Sequence, residues 1–110
     1  MRKEKLDFKK HDLKCVPNLF QKIWTGTKTF DIRFNDRDYQ TGDIIVLNEL
    51  KPGFEDFHLT DDPENCYTGR QIVAHIPYLM VGPRYGLMAD WVILSLNVLY
   101  QESIQLRTST

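Results

Sequence analysis

Hydrophobic and polar positions change period several times along this chain, and each change predicts an element. His11, Asp12, Leu13, Lys14 and Cys15 alternate, which predicts a short first strand. The period then lengthens: Val16, Leu19, Phe20, Ile23 and Trp24 fall at i, i+3, i+4, i+7 and i+8, an apolar stripe on a helix of two to three turns. Pro17 suits its first turn, where no backbone donor is needed, and Gly26 is placed to end it. From Thr29 the period is two. Phe30, Ile32 and Phe34 share one face and Thr29, Asp31 and Arg33 the other, so the segment reads as a half-buried strand with its apolar side chains packed.

The polar run 35–40 reads as a loop and Thr41, Gly42 and Asp43 as a tight turn. Ile44 to Leu50 is nearly continuous in apolar residues, which predicts a strand covered on both faces. Residues 51–66 hold two prolines, a glycine and five acids and form one long loop, either a functional flap or a mobile excursion. A long strand is expected from Arg70 to Val81, with Pro77 marking an edge or a bulge, and Gly82-Pro83 breaks it. After a loop over 84–90, Trp91 to Leu99 supplies the last strand. About five strands and one early helix predict an α+β domain built on a small curled sheet or barrel, with the helix packed against it. The division is a basic segment over 1–10, a single domain over 11–100 and a polar tail over 101–110.

Composition supports one core: 110 residues at 42% hydrophobic content fill a single domain without metals or crosslinks. No stretch approaches the roughly 20 apolar residues that cross a bilayer, and the charged start has no apolar signal region, so no membrane partner is expected. Cys15 and Cys66 form no CxxC pair, and His11, His58 and His75 are scattered, so the reading is free thiols, no metal, no cofactor and a cytoplasmic setting. Net charge is −1 but unevenly spread. Residues 1–37 hold ten Lys or Arg against five acids, while residues 38–110 hold four against ten. A basic third folded onto one face would attract phosphates locally, because surface potential follows local charge; the alternative is a solvated Lys-rich terminus.

The densest chemistry lies in Gly26, Thr27, Lys28, Thr29, Phe30, Asp31, Ile32 and Arg33, followed by Asn35, Asp36 and Arg37. A glycine turn lets backbone approach a ligand, Lys28 is expected at the mouth, and Asp31 and Arg33 point from one strand face. Asp31 either simply holds the guanidinium of Arg33 in an ion pair or orients it toward phosphate or base edges. Trp24, Tyr39, Tyr85 and Trp91 are aromatic groups able to stack on a base, with packing as the competing role of each.

The pattern His11-x-Leu13-Lys14, Phe20, Gly26-x-Lys28-x-Phe30-Asp31-x-Arg33-x-Asn35-Asp36-Arg37 and Gly42-Asp43 resembles ASCH-like domains of the PUA-like superfamily, in particular an uncharacterised phage or bacterial branch. Tyr67 to Arg70 and Trp91 to Leu96 extend the likeness over about residues 11 to 96. The chain departs from the usual Gly-x-Lys-x-x-Glu-x-Arg by carrying Asp31 in the glutamate position. The resemblance implies a pseudo-barrel with a cleft beside the helix, and binding of RNA or a modified nucleotide. It also implies a link to amidohydrolases that remove an acyl group from acetylcytidine with a Lys, a Thr and a Glu. Of that set only Lys28 matches, Asp31 occupies the threonine position, and the glutamate has no counterpart.

Three functions are therefore expected in competition. The first is a binding module for RNA, single-stranded nucleic acid or a nucleotide, using Gly26, Lys28, Arg33 and Arg37 with Trp24 or Tyr85. A second is a hydrolase of modified nucleosides, with Lys28 and with Asp31 or Glu49 as base. The last is a phage-type protein that engages a host protein or sequesters a nucleotide through the loop 51–66.

Overall fold

The computed structural model describes residues 8–54 and 66–103. In chain order the elements are β1 (Lys10–Cys15), α1 (Pro17–Trp24), β2 (Phe30–Phe34), β3 (Ile44–Leu50), β4 (Tyr67–His75), β5 (Leu79–Val81), β6 (Trp91–Ser95) and β7 (Asn97–Ser103). They form two sheets. One runs β1-β3-β4-β7 and the other β2-β6-β5. β1 and β3 are parallel, joined through α1 and β2, and every other strand pair is antiparallel.

The expected curled sheet or pseudo-barrel is corrected by this arrangement: neither sheet closes. Both of the long strands expected from the sequence change sheets midway. The run 70–81 divides at Ile76, Pro77 and Tyr78 into β4 and β5, and the run 91–99 divides at Leu96 into β6 and β7. Proline has no N–H to extend a ladder, which accounts for the first division. The N–H of Leu96 still bonds to the carbonyl of Thr29, the residue just before β2, at 3.0 Å, so the switch happens across one residue. β1 starts at Lys10 and β7 continues to Ser103, so regular structure reaches slightly past the 11–100 division at both ends.

The core lies between the inner faces of the sheets and α1. Leu13, Cys15, Ile45, Leu47, Ile72 and Ala74 come from the larger sheet, Val92 and Leu94 from the smaller, and Phe20 and Ile23 from the helix. β3 is buried on both faces, as its apolar run predicts. Gly26 ends α1 with φ +84°, and its N–H bonds to the Ile23 carbonyl at 3.0 Å. The helical stripe splits: Phe20 and Ile23 are buried, Trp24 packs beside them, and Leu19 is exposed. Asp43, fully buried, receives the backbone N–H groups of Lys9 and Gln40 and pairs with His11 at 2.8 Å, which fixes the turn before β3 to β1.

β2 is turned inside out relative to its sequence pattern. Asp31 is buried, whereas Phe30, Ile32 and Phe34 are exposed. This inversion positions the groove beside the strand.

Candidate functional site

Asp31 lies under β2 and cannot remain there as an isolated charge, because desolvating a carboxylate is costly unless donors replace water. Two cations do so. Arg33 Nε donates to Asp31 Oδ2 at 2.8 Å, and Lys28 Nζ reaches Asp31 Oδ1 at 3.4 Å while donating to the Phe30 carbonyl at 2.5 Å. The guanidinium of Arg33 also extends from β2 to the end of strand β1, where Nη2 donates to the Lys14 carbonyl at 2.7 Å. Three of the residues picked from the sequence therefore do converge. They meet on a carboxylate of the protein's own, and Lys28 lies back over the Phe30 ring, 4.6 Å from its centre, instead of standing at a mouth.

Alongside the free edge of β2, between it and residues 14–19, runs an open groove of about 280 Å³. Lys14, Cys15, Val16 and Leu19 line one side, and Asp31, Ile32, Arg33, Phe34 and Trp91 the other. Phe34 and Trp91 meet edge to face at 5.8 Å, which fixes an aromatic wall. With Nε and Nη2 engaged, the Nη1 donors of Arg33 have no partner among the described residues. Such a fork is held in place before any ligand arrives, so little rotamer entropy is lost on contact.

The remaining predicted site residues fall elsewhere. Gly26 serves the helix end. Arg37 is exposed beside Asp36, 4.0 Å away. Trp24 stacks with Phe20 at 5.7 Å and carries the Arg70 guanidinium 4.5 Å above its ring, so packing is its role here. Tyr39 is buried against His11. Tyr85 is exposed in the loop between β5 and β6 and does not line the groove. Of the aromatic residues singled out, only Trp91 lines it. Most of the loop 51–66 lies outside the described residues.

Acid-base chemistry has little to work with here. Burial pushes the Cys15 thiol up to about 11, with the Asp31 carboxylate adding to the rise and Arg33 and Lys28 opposing it. It is thus a thiol, not a thiolate nucleophile, at neutral pH. Glu49 is held below the usual carboxylate range by hydrogen bonds from Arg70, Nε at 2.9 Å and Nη2 at 3.0 Å, with Thr68 adding another at 2.8 Å. A carboxylate so engaged is a weak base. Among the described residues no group of three or more His, Cys, Asp or Glu is placed to hold a metal ion.

A family model described as a domain of unknown function, DUF3850, matches residues 10–96. The chain belongs to that family. The match runs from the first residue of β1 to Leu96, so both walls of the groove and the Asp31 cluster lie within DUF3850, and β7 follows it. No curated protein matches the chain. Sequence reasoning missed Leu19, Ile32 and Phe34 as groove residues because their spacing is that of packed faces. The polar residues at 31 and 33, facing their own buried partner, were the available signal that the strand is reversed.

Proposed function

We propose that this DUF3850 domain is a binding module for single-stranded RNA or a nucleotide, held in the groove between residues 14–19 and β2. The observation that carries the reading is the anchoring of Arg33 by Asp31 and by the Lys14 carbonyl, with one guanidinium nitrogen left over beside an aromatic wall. Planar donors suit phosphate oxygens and base edges, and aromatic side chains suit stacking of an unpaired base. A volume near 280 Å³ matches one nucleotide unit rather than a duplex. The resemblance to ASCH-like domains supports the same ligand class. Lys14 adds a second cation at the rim, whereas Lys28 acts by holding Asp31. A cytoplasmic setting fits two buried cysteines that form no disulfide, and no helix among the described residues is long and apolar enough to cross a membrane.

The test is titration of a fluorescent single-stranded oligoribonucleotide and of mononucleotides at several salt concentrations. Affinity is expected to fall as salt rises, and Lys14→Ala, which removes no internal hydrogen bond of its side chain, is expected to weaken binding about tenfold. Absence of binding at low salt, or a complex indifferent to both salt and Lys14→Ala, would refute the reading.

A further inference from the structure

Residues 82–90 join β5 to β6 as a tight hairpin rooted at the Phe34–Trp91 end of the groove. Its stem is fixed to that wall by backbone bonds. Gly82 N–H donates to the Trp91 carbonyl at 2.9 Å, Trp91 N–H to the Met88 carbonyl at 3.2 Å, and the N–H of Asn35, next to Phe34, to the Asp90 carbonyl at 2.8 Å. A Cβ at Gly82 would collide with the Met88 carbonyl, so the stem has no slack. Further out, Arg84 and Leu87 exchange both backbone hydrogen bonds, at 3.1 and 2.8 Å, and the two residues between them turn the chain with φ +51° at Tyr85 and +87° at Gly86. Positive φ at both positions of a two-residue loop is the mark of a type I′ turn, whose first position is ordinarily Asn, Asp or Gly. Tyrosine there is an outlier. A bulky side chain in the left-handed region is strained, and strain of this kind gathers at ligand contacts. No packing offsets it: the ring is 90% exposed and has no aromatic or cation–π partner among the described residues.

We infer that Tyr85 is a second base-stacking subsite, which takes an unpaired base of the same strand whose neighbouring nucleotide occupies the groove. The ligand is then a short single strand and not a lone nucleotide; the inference rests on the groove reading. Three Cα steps of about 3.8 Å put Tyr85 no further than about 12 Å from Met88, whose carbonyl touches Trp91. At roughly 3.4 Å per stacked nucleotide, the tip is within about four nucleotides of the aromatic wall. Arg84, also exposed, adds a cation beside the ring for the phosphates between. Asp90, the acid of this loop, lies back at the stem, where its carbonyl holds Asn35. A single ring on a convex tip is far smaller than the roughly 800 Å² that each partner gives to a stable protein interface, yet one exposed aromatic face is enough to stack one base.

Titration of a fluorescein-labelled hexaribonucleotide of random sequence, with the four nucleoside 5′-monophosphates as competitors, tests this on the wild type, Tyr85→Asn and Tyr85→Trp. The wild type is expected to bind the hexamer at least tenfold more tightly than any monophosphate. Asn suits the turn, so Tyr85→Asn is expected to keep or raise thermal stability while weakening the hexamer about tenfold and leaving the monophosphates unchanged. Tyr85→Trp, which keeps a stacking ring, is expected to hold the hexamer as the wild type does. Unaltered hexamer binding in Tyr85→Asn, equal losses for hexamer and monophosphates, or a fall in stability that marks the ring as structural would each overturn the subsite. Lys14→Ala scores the groove separately, since it is expected to weaken both kinds of ligand. A wild type that binds neither refutes the groove reading itself, and the subsite with it.

Discussion

Arg33 joins the two sheets by donating from Nη2 to the carbonyl of Lys14 at 2.7 Å. β2 and β1 share no backbone ladder, and this side-chain bond spans the gap where one would run. The same guanidinium holds Asp31, so one residue both ties the sheets and neutralises the carboxylate buried between them.

Replacing Arg33 with Met should therefore cost stability as well as the proposed ligand contact. It removes two charge-assisted hydrogen bonds and leaves Asp31 to Lys28 alone, a loss of about 2 to 4 kcal/mol. Urea unfolding measures it directly. Arg33→Lys should lie between Met and the wild type, since an ammonium keeps the charge and loses the fork.

Alkaline pH should destabilise the domain through Cys15. Its folded-state value, about 11, lies above the ordinary 9.0, so the folded protein retains a proton that the unfolded chain releases. The associated stability is complete below about pH 9 and is lost as pH rises toward 11, by about 2 to 3 kcal/mol. Comparing chemical unfolding at pH 8 and pH 10.5 for the wild type and Cys15→Ala should show this part of the slope disappear in the variant.

Acid should act through Glu49 in the opposite sense. Arg70 lowers its folded-state value, so its contribution is present above the ordinary carboxylate range and fades as pH falls through the lowered one. Glu49→Gln should flatten the wild-type loss of stability below about pH 4.5 and cost about 1 to 3 kcal/mol at pH 7. A pH series of thermal unfolding reads both.

Phe20 and Phe34 provide a contrast between buried and exposed phenylalanines. Phe20→Ala removes a fully buried ring and should cost about 3 to 5 kcal/mol, whereas Phe34→Ser removes a half-exposed one and should cost about 1 kcal/mol. Denaturant unfolding of both variants beside the wild type measures the difference. Equal losses would mean that β2 packs its apolar face after all.

How much was legible in the sequence varied with the range of the interactions involved. The helix over Pro17–Trp24, its stop at Gly26 and the doubly covered strand Ile44–Leu50 follow from propensity and period within ten residues, and the structure has them. The pairing of Asp31 with Arg33 was likewise visible, since side chains two residues apart on one strand face can meet without outside help, whereas Lys28 was expected at a mouth and joins Asp31 instead. The second partner of Arg33 was not visible: the Lys14 carbonyl is 19 residues away, and nothing near Arg33 names it.

The chain alone determined where backbone turns, where it coils and where it extends, because those are choices among a few torsions made locally. Tertiary structure decided which side of β2 faces inward, where two long apolar runs pass from one sheet to the other, and hence that a groove opens beside Arg33. Alternation marks two faces of a strand but not which one is covered. Packing settled that by offering Asp31 two cations and a neighbouring carbonyl for Arg33, while β6 and β5 extended the aromatic side into an open apolar surface.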